Sequence, residues 1–350
     1  MDFPSFFWYY VLWLWLPISY TMICLAITQF PREFDPIVPM GFLYIWSLLM
    51  DIKIVVAAHK FYMMPRDKMY VPVHVGAAGK KSIRRSFLRD DGNDYEGNPL
   101  GDGAGARDNI SNKNGSYCEL TGLYYAWKHM DYEYLGLAHY RRHFSAVPFP
   151  IRWMVSQVQL GGKDGLDTNS NPHLARVLRL CLSKKKAEKI FQNYDVIVPS
   201  KRRYVIESLY SHYDHTLDGE HLDLAKQVIQ ENYKEYIPYV EKVYDRTWGY
   251  MFNMFVMPKD LVDEYCQWLF TILGKLELLI DTTDMTGFKA RLFGRVSEIL
   301  YNVWLQKKIE EDGIRVKEVP LLSTEPVNWW KKGTAFLRAK FGGEKYTKSF

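Results

Sequence analysis

Residues 51–60 read Asp-Ile-Lys-Ile-Val-Val-Ala-Ala-His-Lys, and this stretch decides the fold class. An unbroken β-branched run of this length, without polar alternation, reads as a central parallel strand buried on both faces. The run ends in Ala57-Ala58-His59-Lys60. Further apolar runs at Tyr132–Ala138, Tyr194–Pro199, Phe252–Met257 and Ile314–Val319 read as strands, the last of these closing the sheet. Between them lie helical patterns. Ser116–Met130 places Leu120, Leu123, Tyr124 and Trp127 on one helical face. Lys184–Asn193 follows Ser183 as N-cap, and Asp218–Tyr233 begins on an Asp cap. Leu261–Leu279 and Ser297–Glu311 complete the set. Alternating strands and helices predict an α/β fold, a mixed sheet flanked by helices. Residues 76–115 and 156–173 are polar loops, long enough to expect function in them. There is no P-loop and no dinucleotide fingerprint after the first strand.

Outward from that core the composition splits. The chain has 350 residues, 48% hydrophobic and 24% charged, so wholesale disorder is excluded. Residues 1–49 hold only four charges (Asp2, Arg32, Glu33 and Asp35), and Phe3–Phe30 holds none. Crossing a bilayer takes about 20 apolar residues, so this leader is long enough for a transmembrane anchor. It lacks the basic n-region and cleavage site of a signal peptide. The other reading is upstream sequence joined to a usual start at Met50. The expected organisation is a leader over 1–49, a folded domain over 50–320 and a tail over 321–350. That tail is basic and aromatic (Lys331, Lys332, Arg338 and Lys340 among Trp329, Trp330, Phe336 and Phe341), which suits an anionic membrane surface. A solvated tail packing a few aromatics is the alternative. The net charge of +5 is too mild to argue for nucleic acid. Cys24, Cys118, Cys181 and Cys266 lie far apart with no metal spacing, and read as reduced thiols.

Four segments carry the polar chemistry. Asp108-Asn109-Ile110-Ser111-Asn112-Lys113-Asn114 runs into Glu119, feeding a helix N-terminus whose free N–H groups suit a diphosphate. A simple capping arrangement would use the same residues. His139-Tyr140-Arg141-Arg142-His143 follows a strand directly, and two arginines there can grip a phosphate bidentately. His212-Tyr213-Asp214-His215 offers general bases in Asp214 and His215, in a spacing that matches no metal signature. Asn253 is a lone polar residue in an apolar strand and needs a partner if buried. Arg295 and Glu298 open a helix, Glu298 being either a helix-start charge or a carboxylate aimed at a pocket.

Taken together and in order, several pieces resemble one family. They are IKIVVAAHK (52–60), PVHVG (72–76), DNISNKNGSYCELTGLYYAWKH (108–129), YLGLAHYRRHF (134–144), YDVIVP (194–199), NMFVM (253–257) and RLFGRVSEILYNVWL (291–305). The chain is similar over about Met50–Val319 to the bacterial capsular and exopolysaccharide glycosyltransferases catalogued as domain of unknown function 4422. The resemblance implies a GT-A-like, mostly parallel sheet with a helical C-terminal part. It implies transfer of a sugar from a nucleotide-sugar, a UDP-hexose with UDP-galactofuranose among the candidates, to a lipid-linked glycan at the cytoplasmic face of the membrane. Ala58, His59 and Lys60 would lie near the uridine. Asp108, Asn109, Ser111, Asn114, Glu119, His139, Tyr140, Arg141, Arg142, Asn253 and Arg295 would line the donor site. Asp214, Glu298 and His215 are the candidate bases. The Asp-x-Asp metal motif usual at a later strand end of such folds is replaced by His139-Tyr140-Arg141. No metal ligand is assigned, Mn²⁺ or Mg²⁺ stays open, and the arginines could stabilise the departing diphosphate instead. A non-catalytic glycan-binding or scaffold protein is the competing class.

Overall fold

The computed structural model describes residues 50–100, 108–148, 150–151, 172–204 and 206–324. The expected leader, most of the 156–173 loop and residues 325–350 of the expected tail lie outside the described residues. No helix among those described is long and apolar enough to cross a membrane.

One mixed sheet forms the centre. Its strands are β1 (Ile52–Ala58), β2 (Tyr70–His74), β3 (Leu88–Arg89), β4 (Tyr134–His139), β5 (Arg142–Phe144), β6 (Val196–Pro199), β9 (Phe255–Pro258), β10 (Val316–Val319) and β11 (Leu321–Ser323), while β7 (Arg202–Arg203) and β8 (Trp248–Gly249) make a separate ribbon. The main path runs β10-β6-β9-β4-β1-β2-β3. Every neighbouring pair on it is parallel except the two made by β9, so the sheet is mostly parallel with one reversed strand. The helices are α1 (Asn114–Tyr117), α2 (Leu120–His129), α3 (Pro172–Leu178), α4 (Lys184–Phe191), α5 (Leu209–Thr216), α6 (Glu220–Asn232), α7 (Ile237–Asp245), α8 (Lys259–Leu279) and α9 (Leu292–Glu311).

β1 is central for the reason its sequence gives. Val55 and Ala57 face a large core built with α2 and α6–α9, while Ile52, Ile54 and Val56 face a smaller one built with α4. Ile54, Val55 and Val56 are fully buried, and each such side chain contributes about 1.5–3 kcal/mol. α9 is buried nearly all round from Leu292 to Leu305, with Leu300, Tyr301, Val303 and Trp304 at zero exposure, as a helix through the middle of a core must be. Its rigid first turns carry Arg295 and Glu298 to the carboxyl edge of the sheet.

Three expectations are corrected. The helix expected over Ser116–Met130 is two helices, because Cys118 turns to φ 53° between them. Its carbonyl is held there by the Asn114 side-chain amide (2.6 Å) and the Thr121 hydroxyl (3.2 Å). The strand ending at Val319 is not the last, since β11 follows and pairs antiparallel with β5. Asn253 does not lie within a strand: it sits in the turn before β9 with φ 52°, next to Phe252 at φ 73°.

Candidate functional site

The carboxyl ends of β1, β2, β4 and β6 share one edge, and the polar segments gather there. Ala58 is wall: it is fully buried and its carbonyl accepts the Val75 N–H at 3.0 Å. Beyond it, His59 packs edge-on against Tyr140 (5.2 Å between centroids), and Tyr140 stacks on Tyr62 at 3.8 Å and 22°. The Arg141 guanidinium lies 4.8 Å over Tyr140, and Lys60 lies 5.3 Å over Tyr62. Partial desolvation first, and then Lys60, Arg141, Arg291 and Lys80 around it, hold the His59 imidazole below its usual range. The result is an aromatic platform rimmed by cations. Tyr62 went unnoticed in the sequence because its partner is 78 residues away; an aromatic shortly after a β1 end was the available signal.

A second group lies behind the β4 end. Asn253, fully buried, donates through Nδ2 to Glu119 Oε1 (2.7 Å) and to the Gly294 carbonyl (3.0 Å), and accepts the Ser297 hydroxyl (3.0 Å). His139 Nε2 lies 2.7 Å from the Phe252 carbonyl and 3.7 Å from Glu119 Oε1. Glu298, also buried, accepts the Phe252 N–H (3.1 Å) and pairs with Arg295 (3.4 Å). Arg142 lies 4.4 Å over the Phe252 ring. Burial pulls its guanidinium below the ordinary range, Glu298 opposes that, and Arg141 and Arg295 add to it. Cations outnumber carboxylates here, so an anion entering the edge would relieve their mutual repulsion. Gly294 permits the approach: a Cβ there would stand 3.1 Å from Cys118. The described non-glycine residues with positive φ are Cys118, Phe252 and Asn253, all in this group. Such strain persists only where surroundings impose it, and it clusters at functional sites.

The residues expected along 108–114 contact the turn that follows β2. Asp90, fully buried, accepts the N–H groups of Gly76 (2.7 Å) and Ala77 (3.0 Å) and the Ser111 hydroxyl (2.5 Å). Ser111 in turn accepts the Ala78 N–H at 3.0 Å. Asn114 packs against Gly76, whose φ is +64° and whose Cβ would stand 2.6 Å from the Asn114 carboxamide oxygen. Asn109 reaches the Asp91 carbonyl (3.3 Å). Beside them Arg89 and Asp91 form a buried ion pair at 2.5 Å. Ser111, Asn109 and Asn114 therefore shape the β2 turn of the edge. Asp108 lies apart, exposed, accepting the Tyr124 hydroxyl at 2.9 Å.

The third segment divides. Asp214 accepts the Gly219 N–H at 2.9 Å, on a different face of α5 from His212 and His215. Both histidines instead meet Glu207, which the sequence reading passed over: His212 Nδ1 lies 2.8 Å from Oε2 and His215 Nδ1 lies 2.8 Å from Oε1. Among the described residues no group of three His, Cys, Asp or Glu could hold a metal ion. The β4 end, with two arginines in place of carboxylates, does not fit a divalent cation.

The sequence matches the family model described as domain of unknown function DUF4422 over residues 53–309. That is more than half of the chain.

The chain belongs to the DUF4422 family.

Every residue of the edge from Lys60 to Glu298 falls within the matched DUF4422 region. No curated protein matches the sequence. Among solved structures it is similar to one titled WbbM bifunctional glycosyltransferase, apo structure, at 27% identity and a TM-score of 0.61. The match covers 77% of this chain and 45% of that one, so the chain spans less than half of that protein's length.

Proposed function

We propose that this DUF4422 protein is a glycosyltransferase that moves a sugar from a nucleotide-sugar to a glycan hydroxyl. The observation that carries the reading is the carboxyl edge, where an aromatic platform (Tyr62, Tyr140, His59) adjoins Arg141, Arg142 and Arg295. A nucleotide-sugar needs both features: a flat π-surface or apolar wall for its base and fixed positive charge for its diphosphate. The similarity to a structure titled as a glycosyltransferase supports the same reading. The donor class is a UDP-hexose, UDP-galactofuranose included, and the acceptor a lipid-linked glycan of capsular, exopolysaccharide or O-antigen assembly, met at the cytoplasmic face of the membrane.

The chemistry is displacement at the anomeric carbon. The arginines hold the diphosphate and stabilise the negative charge that grows on it as the glycosidic bond breaks. Glu119 and Glu298 are committed, through Asn253 and the Phe252 N–H, to keeping the turn before β9 in place beneath Arg142. The test is UDP release from UDP-galactose and UDP-galactofuranose with octyl β-galactoside as acceptor. No release above buffer refutes the transferase reading and favours a glycan-binding scaffold.

A further inference from the structure

The transferase reading leaves open which group takes the proton of the acceptor hydroxyl, and the loop after β6 supplies a built answer. β6 runs in the same direction as β4, so the segment beyond Pro199 leaves the sheet at the same edge as His139–Arg142. Glu207 is 6% exposed, and each carboxylate oxygen meets a different imidazole at 2.8 Å. A carboxylate can only accept, so both Nδ1 atoms donate to it, and the neutral form of the His212 ring keeps its lone pair on Nε2. The two rings differ in setting. His215 is half in solvent, with 51% of its side chain exposed, whereas His212 is 19% exposed and packs on Tyr204 at 4.2 Å between centroids. Charged groups reach His212 from three elements: Glu207 from the loop, Arg202 from β7 and Arg295 from α9. Arg295 pairs with Glu298 at 3.4 Å, and Glu298 accepts the N–H of Phe252, the residue whose ring lies under Arg142.

We infer that His212 is the catalytic base of the proposed transfer and that Glu207 is its positioning residue, with His215 pinning the second Glu207 oxygen. The inference rests on the transferase reading. In the step, the acceptor O–H bond breaks and its proton passes to His212 Nε2. The freed oxygen pair bonds the donor's anomeric carbon, and the anomeric C–O bond breaks with its electrons leaving on the diphosphate. Burial, with Arg202 and Arg295, lowers the His212 pKa against the raising effect of Glu207, so the ring is in its basic form at neutral pH. For Glu207, burial alone would raise the carboxyl, but the two imidazole donors outweigh it and hold it below its usual range. The ionised carboxylate then stabilises the imidazolium that forms.

The experiment uses the full chain, UDP-galactose and UDP-galactofuranose as donors, and octyl β-galactoside as acceptor. His212→Asn keeps an N–H for Glu207 but cannot take a proton. It is expected to lower kcat by about 10²–10⁴-fold, with UDP affinity by calorimetry within threefold of wild type. Glu207→Gln removes the charge that favours imidazolium. Its kcat is expected to fall and the acid limb of its pH–rate profile to move to lower pH, a shift that a purely structural role would not produce. An active wild type with a near wild-type kcat in His212→Asn, or an unmoved acid limb in Glu207→Gln, overturns the assignment but spares the transferase reading. A wild type that releases no UDP overturns both.

Discussion

Replacing Asn253 tests whether the turn before β9 is held by its buried hydrogen bonds or tolerated despite them. The side chain makes three: to a Glu119 side-chain oxygen, to the Gly294 carbonyl and from Ser297. A bond to a charged group is worth about 1.5–3 kcal/mol and a neutral one about 1 kcal/mol. Ser297 loses least, because its hydroxyl also reaches Gly294 O at 2.9 Å. Asn253→Ala should therefore cost about 3 kcal/mol in lost bonds, plus about 1 kcal/mol for an L-residue without Asn's local compensation at φ 52°. Asn253→Gly loses the same bonds but not the backbone term, so it should be the more stable of the two by about 1 kcal/mol. Urea unfolding followed by tryptophan fluorescence measures both. A loss below about 1 kcal/mol in Asn253→Ala would refute the role given to the network. Glycine no better than alanine would refute the backbone term.

Arg141→Ala should lower UDP release at least about 100-fold if its charge stabilises the departing diphosphate, with the melting temperature unchanged; near wild-type turnover removes Arg141 from the site. Transfer should survive EDTA, because the β4 end offers arginines where a divalent ion needs carboxylates; loss in EDTA with recovery on Mn²⁺ would reverse that. Gly76→Ala should destabilise by about 2 kcal/mol or more, from an unfavourable φ and a Cβ too close to Asn114, and a stability equal to wild type in urea would contradict the packing. Burial drives the His143 imidazole down to about 4, against a weaker opposing pull from the Tyr140 backbone. In the unfolded chain it titrates near 6.5. Between those values the unfolded state binds the extra proton, so stability should fall as pH drops from about 6.5 toward 4, by up to about 3 kcal/mol. His143→Phe should flatten that slope in urea melts at pH 7 and 4.5.

Legibility in the sequence followed the range of the interaction. β1 was readable because burial on both faces leaves an unbroken apolar run, and β4 because Arg141 and Arg142 follow it at once. The break at Cys118 was not readable: it depends on Asn114 and Thr121 side chains and on Gly294, 176 residues away. Asn253 announced a buried partner but not its identity, since Glu119 reaches it across 134 residues. Glu207 drew no reading from the sequence, although its spacing before His212 and His215 was a usable signal.

The sequence by itself determined the sheet class, the edge that carries the polar groups and the family, because hydrophobic period and short motifs are local properties of the chain. Only the tertiary structure decided which polar residues line the carboxyl edge and which hold the scaffold. It turned Ser111 and Asn114 inward to shape a turn, set Asp214 against Gly219 and put Glu207 between two histidines. The physical reason is that a side chain's role depends on which distant groups desolvate it and satisfy its hydrogen bonds, and those groups arrive only when the chain has folded.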